Sequence, residues 1–398
     1  MKNNKVRQLT RNILLGAITI ATILTSSTFP TFADDTASNT TGKGFSVQKV
    51  YSLTMPDGEK ADDFQSPEET FTFKSGAYPQ ENATDSGTDG KASLAAISDT
   101  TWNNNTGEIQ ELDSMEERDK TAILSVTPND INVSPIKFDM GAASTSGTGE
   151  NIQVVVPSDF TKPGIYYYDF HEATGTTAGV DYDQNTYRIR VTVTRGTDGN
   201  SPTDIKLVNK TTGKKADNIA NSYKAGELTF TKEVAGAIGD PDRTFQVNVT
   251  LTAPEGRNVT SIIHATGKNV VNESELTDIT FGPDEKSITK TFTVKGGTSI
   301  TLKNVPNGTV CFVKEADYSK AGYTTAYTYG GVTYDHIDEN INTQRMNGAA
   351  NLSVTITNTK NATIDTGIFT SNLPYILILL AAAAGSIVYV VSRRRHHA

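Results

Sequence analysis

The sequence predicts an all-β protein: two tandem β-sandwich domains of immunoglobulin-like size, set between an N-terminal signal peptide and a C-terminal transmembrane segment. Three observations carry this. Short segments alternate apolar and polar side chains, the period of a half-buried strand. Tyr187, Ile189, Val191 and Val193 interleave with Arg188, Arg190, Thr192 and Thr194, and Phe245, Val247, Val249 and Leu251 alternate with polar partners in the same way. Pro, Gly, Asn and Asp punctuate these segments. Sustained helical periodicity is missing from the body of the chain, where Ser114–Thr121 alone reads as a short helix.

Residues 1–33 read as an export signal. Lys2, Lys5, Arg7 and Arg11 precede the apolar run Ile13–Leu24, and Thr31–Ala33 offers a cleavage site with small outer residues. Residues 34–43 are polar and low in bulk, a flexible tail. The first domain spans 44–223, with strands over Phe45–Tyr51, Glu69–Phe73, Thr121–Val126, Ile152–Val156, Gly164–Phe170, Thr186–Thr194 and Asp204–Asn209. Asn82–Gly90, rich in small polar residues, reads as an exposed loop. The pattern is that of an antiparallel sandwich.

Tyr223–Gly226 reads as a short linker. The second domain spans 227–360, with strands over Leu228–Val234, Thr244–Thr252, Ser287–Val294, Thr298–Lys303, Val310–Glu315, Thr324–Tyr329 and Asn351–Asn358. A second linker, 361–372, leads to the apolar run 373–392. At about 1.5 Å per residue this run can cross a hydrocarbon layer of about 30 Å. Arg393, Arg394 and Arg395 in the 393–398 tail keep that end cytoplasmic by the positive-inside rule. The topology is that of a surface protein held by one late span.

The formal net charge of −9 argues against nucleic-acid binding, which needs clustered cations against phosphate. A single cysteine, Cys311, rules out an internal disulfide. It lies at inward parity and reads as a small buried hydrophobe. His171 alternates outward beside Glu172; His264 and His336 are isolated, and His396 and His397 lack further ligands, so no metal site and no cofactor are expected.

Strand parity singles out six residues. Leu228 and Phe230 point inward, and Lys232 continues their row. Cys311 and Val313 share a face with Glu315, and Leu352, Val354 and Ile356 share one with Asn358. The first domain repeats the order: Phe45, Val47, Lys49; then Tyr166, Tyr168, Phe170, Glu172; then Ile219, Asn221. A buried amine loses its charge and a buried carboxyl keeps its proton. A neutral lysine is a nucleophile, and a protonated Glu can polarise the Asn side-chain carbonyl and relay a proton to the departing ammonia. The expectation is two isopeptide bonds, Lys49–Asn221 promoted by Glu172 and Lys232–Asn358 promoted by Glu315. The plainer reading of any one set is a strand-end lysine snorkelling to solvent; the repetition in the same order weighs against it.

The segments Phe45–Lys49, Pro163–Glu172, Ile219–Asn221, Leu228–Lys232, Phe312–Glu315 and Ile356–Lys360 resemble those of Gram-positive, streptococcal-type major (backbone) pilins, the T-antigen-like proteins. The resemblance covers roughly residues 44–367. It implies tandem immunoglobulin-like domains with autocatalytic Lys–Asn isopeptide bonds, and a shaft subunit joined end to end by a pilus sortase. Implied partners are other copies of the chain, minor pilins and, through sortase, peptidoglycan. By similarity the acyl donor is Thr366, with Gly367 released onward; the Leu-Pro pair of the common sorting signal is absent, which points to a dedicated pilus sortase. By similarity the acceptor lysine is Lys214 or Lys215, with Lys210 as an outside candidate, and the matching offset favours Lys214. The competing reading is a wall-anchored adhesin or minor pilin gripping a host ligand. An enzyme is not expected, since each Glu would act once per chain.

Overall fold

The computed structural model describes residues 42–80, 83–98, 131–158, 160, 164–197, 199–337, 343–362, 375–384 and 386. The signal peptide, nearly all of the 34–43 tail, the Ser114–Thr121 helix, the Thr121–Val126 strand, Thr366, Gly367 and the basic tail lie outside these residues. The described body is built of strands, with three short 3-10 turns at Ala61–Asp63, Glu273–Glu275 and Ser319–Ala321. Residues 375–384 are helical and expose Tyr375 to Leu380. Among the described residues no helix is long and apolar enough to cross a membrane.

Two lobes each consist of facing sheets. In the second lobe, one sheet runs in the order 264–268, 299–306, 218–235, 351–359, 324–329, 332–334. The other runs 287–294, 245–252, 310–315, 344–345. The alternation seen in the sequence fills the space between them. Leu228, Phe230, Ile300, Leu302, Val354 and Ile356 meet Phe245, Val247, Val249, Leu251, Phe292 and Val313, all essentially fully buried. In the first lobe, one sheet orders 131–133, 148–157, 42–54 and 218–235. The facing sheet orders 214–215, 199–209, 186–196 and 164–172. The strand Lys91–Ser98 passes between the two, pairing with Ile131–Val133 at one end and Gly164–Glu172 beyond it.

The structure corrects three sequence expectations. Tyr223–Gly226 is no linker: Asn218–Ala235 is one continuous strand shared by both lobes. Tyr223 and Ala225 are buried, and the Tyr223 hydroxyl donates to Asn304 Oδ1 at 3.1 Å, so this stretch packs as core. The sandwiches are not purely antiparallel. The opening strand Gly42–Thr54 pairs parallel with the shared strand, and the shared strand pairs parallel with the closing strand Asn351–Thr359. The opening strand also begins at Gly42, two residues before the expected boundary.

The lobes meet through directed bonds as well as apolar packing. Lys303 pairs with Glu59 at 2.6 Å and Asp63 at 2.7 Å. Asn304, buried and held at φ 63°, donates across to Gln65 O and within its own lobe to Ile262 O, each at 2.8 Å. Arg257 donates to Gly175 O and Thr177 O at 3.2 Å and lies 5.3 Å from the Tyr182 ring.

Candidate functional site: two buried Lys–Glu–Asn triads

Each lobe brings its predicted residues together by the same construction. Lys49 lies on the opening strand and Asn221 on the shared strand, in parallel register where Lys49 faces Ile219 and Tyr51 faces Asn221. Lys232 lies on the shared strand and Asn358 on the closing strand, where Lys232 faces Ile356 and Val234 faces Asn358. In both lobes the Asn therefore stands two residues past the register partner of the Lys. Period-two alternation puts both on the inner face. The Glu comes from the facing sheet, at the end of Gly164–Glu172 in one lobe and of Val310–Glu315 in the other.

The first triad is tightly closed. Lys49 Nζ donates to Glu172 and to Asn221 Oδ1, and the Asn221 amide donates to Glu172 Oε1 at 2.5 Å. Lys49 and Glu172 are fully buried and Asn221 nearly so. The Phe71 ring covers the amine at 4.5 Å, inside an aromatic cluster with Tyr51, Phe138 and Tyr182. Burial lowers the Lys49 amine and raises the Glu172 carboxyl, each against the pull of the other's charge. Both shifts favour the uncharged pair that nucleophilic attack requires.

The second triad is looser. Lys232 Nζ stands 3.3 Å from Glu315 Oε1 and donates to the carbonyls of Glu233 at 3.0 Å and Ile356 at 3.3 Å. The Asn358 side chain is fully buried beside Glu315, but neither its Oδ1 nor its Nδ2 is in good hydrogen-bond geometry. An amide left so in a dry interior is costly. Thr325 Oγ1 donates to Glu315 Oε2 at 3.3 Å. The Phe245 ring covers the amine at 4.5 Å, as Phe71 does in the first lobe. Burial pulls Lys232 from 10.5 down to about 8 and pushes Glu315 up.

The two covering rings were not assigned from the sequence. Phe71 and Phe245 sit at inward parity, so their burial was visible but their place over an amine was not. Asp183 gave no signal either. It lies in a loop, and its backbone amide donates to Glu172 Oε1 at 3.3 Å. His171 is on the outer face, as expected, yet it is buried. Its Nδ1 lies 3.0 Å from Gly76 O and its Nε2 3.2 Å from Asp85 Oδ2, so the loop read as exposed covers it. Cys311 is buried, and burial pushes its thiol up to about 12. Among the described residues no group of His, Cys, Asp and Glu is arranged to hold a metal ion.

The lysines named for subunit joining differ in freedom. Lys214 and Lys215 form a short exposed strand after a turn whose Gly213 has φ 70°. Lys215 pairs with Asp217 at 3.2 Å. Lys210 is half-buried and lies 3.4 Å from Asp169, which also receives Arg188 at 2.6 and 2.8 Å.

Residues 226–360, the second lobe, match a family described as a domain of unknown function (DUF7601). In structure, the chain aligns with the major pilin from Streptococcus pyogenes at 20% identity and a TM-score of 0.48, over 81% of this chain and 99% of that one. It aligns with the T3.2 major pilin of the same species at 18% identity and a TM-score of 0.47, over 81% and 99%. In sequence, a pilin of Streptococcus pyogenes serotype M1 is 30% identical over 227 residues, 55% of this chain and 64% of the relative. The chain thus spans a little less than two thirds of the length of the curated pilin it resembles.

Proposed function

We propose that the chain is the shaft subunit of a surface pilus, polymerised by a sortase and locked by one self-made Lys–Asn isopeptide bond in each lobe. The observation that carries this is the doubled triad: a buried Lys and Asn at the same parallel offset, with a buried Glu facing them. In each lobe the lysine passes a proton to the carboxylate, leaving a neutral amine and a protonated acid. Nζ attacks the Asn Cγ while the acid hydrogen-bonds the carbonyl oxygen. The Nζ–Cγ bond forms, the Cγ–Nδ2 bond breaks, and Glu relays one proton from Nζ to Nδ2, which leaves as ammonia. Glu ends protonated, holding the proton it first took from the lysine, and returns to the carboxylate only when that proton leaves with the ammonia as ammonium.

Intact-mass spectrometry of the mature chain tests this. Two ammonia losses are expected, one lost again in Lys49→Ala and one in Lys232→Ala. A mature chain at its full sequence mass would end the proposal. Polymerisation follows if a sortase cysteine attacks the Thr366 carbonyl, releases Gly367 onward and passes the acyl group to a lysine of the next subunit. Support for Lys214 as that lysine comes from its exposure, since Lys210 is held by Asp169 and Lys215 by Asp217. The wall-anchored adhesin reading predicts a single wall-bound species in place of a polymer ladder.

A further inference from the structure

The two triads are not served alike. Among the described residues Asp183 has no counterpart in the second lobe, where Thr325 Oγ1 donates to Glu315 Oε2. The Asp183 carboxylate is nearly buried and held by three donors. The Tyr187 hydroxyl reaches Oδ2 at 2.5 Å, and the backbone and side-chain nitrogens of Asn185 both reach Oδ1 at 2.7 Å. Its own main-chain N–H fixes Glu172 Oε1, the oxygen that also receives the Asn221 amide. On its other side Asp183 lines a cavity of about 610 Å³. Asp181, Tyr182, Asn185, Ala220 and Arg257 also line it, and Ala220 is the chain neighbour of Asn221. The sealed triad thus stands one residue from open space at two points. Ammonia released from Asn221 needs such a way out.

We propose that Asp183 is a positioning residue for closure of the first bond: it sets the Glu172 carboxyl from behind, and the cavity beside it receives the departing ammonia. This rests on the cross-linking reading above. Its amide holds Glu172 Oε1 towards Asn221, so Glu172 keeps one fixed orientation while the proton moves from Lys49 Nζ to Asn221 Nδ2. Its carboxylate places a negative charge on the cavity wall, where ammonia can take up the proton left on Glu172 and depart as ammonium.

The test compares the full mature chain with Asp183→Asn and Tyr187→Phe. Closure of each bond is followed by intact mass and by mapping of the joined Lys49–Asn221 and Lys232–Asn358 peptides, from shortly after synthesis onward. Asp183→Asn is expected to close the first bond at least about tenfold more slowly, with the second bond unchanged. Tyr187→Phe, which keeps the carboxylate but removes one of its donors, is expected to slow the first bond less. A pH profile separates positioning from simple damage. The charged or titratable groups around Glu172 are Lys49, Asp183 and Tyr187. Removing the Asp183 charge moves both limbs of the first-bond profile to lower pH, and Tyr187→Phe leaves them in place. First-bond closure at the native rate in Asp183→Asn overturns the proposal. If Asp183→Asn does not fold, native-rate closure in Tyr187→Phe overturns it instead. If the unaltered chain closes neither bond, the cross-linking reading itself has failed.

Discussion

Removing one member of a buried triad strands the other two. Lys49→Ala leaves Glu172 and Asn221 in a dry interior without the amine that joins them, a loss of about 3–5 kcal/mol. If the proposed bond to Asn221 forms, the substitution also removes a tie across a long loop, which would restrict the unfolded chain by about 4–5 kcal/mol on the chain-entropy view. Its melting temperature should fall far below that of the unaltered chain, read by calorimetry. Asn358→Ala, which cannot cross-link, exposes the linkage to pH. Lys232 sits at about 8 when folded against 10.5 ordinarily. Between those values the unfolded chain binds a proton that the folded one lacks, so stability rises with pH across that window, by on the order of 3 kcal/mol. Glu315 acts oppositely at the acid end: the folded chain keeps its proton above 4.5, and stability falls as pH rises through its elevated value. Denaturant unfolding of Asn358→Ala between pH 8 and 10.5 reads the alkaline rise, which a cross-linked Lys232 no longer shows. All six triad residues were legible beforehand because strand parity fixes which side chains face inward. Asp183 and the closed cover over His171 were not, because loop residues have no period that reveals their contacts.

At the scale of strands, the sequence located most segments but not how they pair. Alternation marks a face and is blind to whether a neighbour runs parallel or antiparallel, so both parallel pairings went unseen. The shared strand was split by a supposed linker because its buried row changes parity there, from odd positions up to Ala225 to even positions from Gly226 and Leu228 onward, at a register shift between Gly226 and Leu228. Short pairings such as Val180–Asp181 and Gln344–Arg345 are set by the strands they meet rather than by their own composition. The junction itself can be tested at Asn304. Asn304→Ala leaves the Gln65 and Ile262 carbonyls and the Tyr223 hydroxyl without their partner, each at about 1–3 kcal/mol. The expected result in urea is a lower midpoint. A transition split in two would show that the lobes have become independent.

For the whole molecule, the proposed shaft requires an acceptor that a neighbouring subunit can reach. Lys214→Ala should abolish the boiling-resistant polymer ladder made with the cognate sortase, while Lys210→Ala should leave it. A ladder that survives Lys214→Ala and Lys215→Ala together would move the junction elsewhere. The shared strand then has a consequence for damage. It carries Asn221 and Lys232 eleven residues apart, so with both bonds closed a covalent route runs from Lys49 across to Asn221, along that short segment, and from Lys232 across to Asn358. A protease that cuts one surface loop, such as 83–89 or 282–286, severs a detour and leaves the through-line whole. Nicked subunits should therefore migrate in denaturing gels as undivided chains, and a fibre of them would stay in one piece where an uncross-linked one would part.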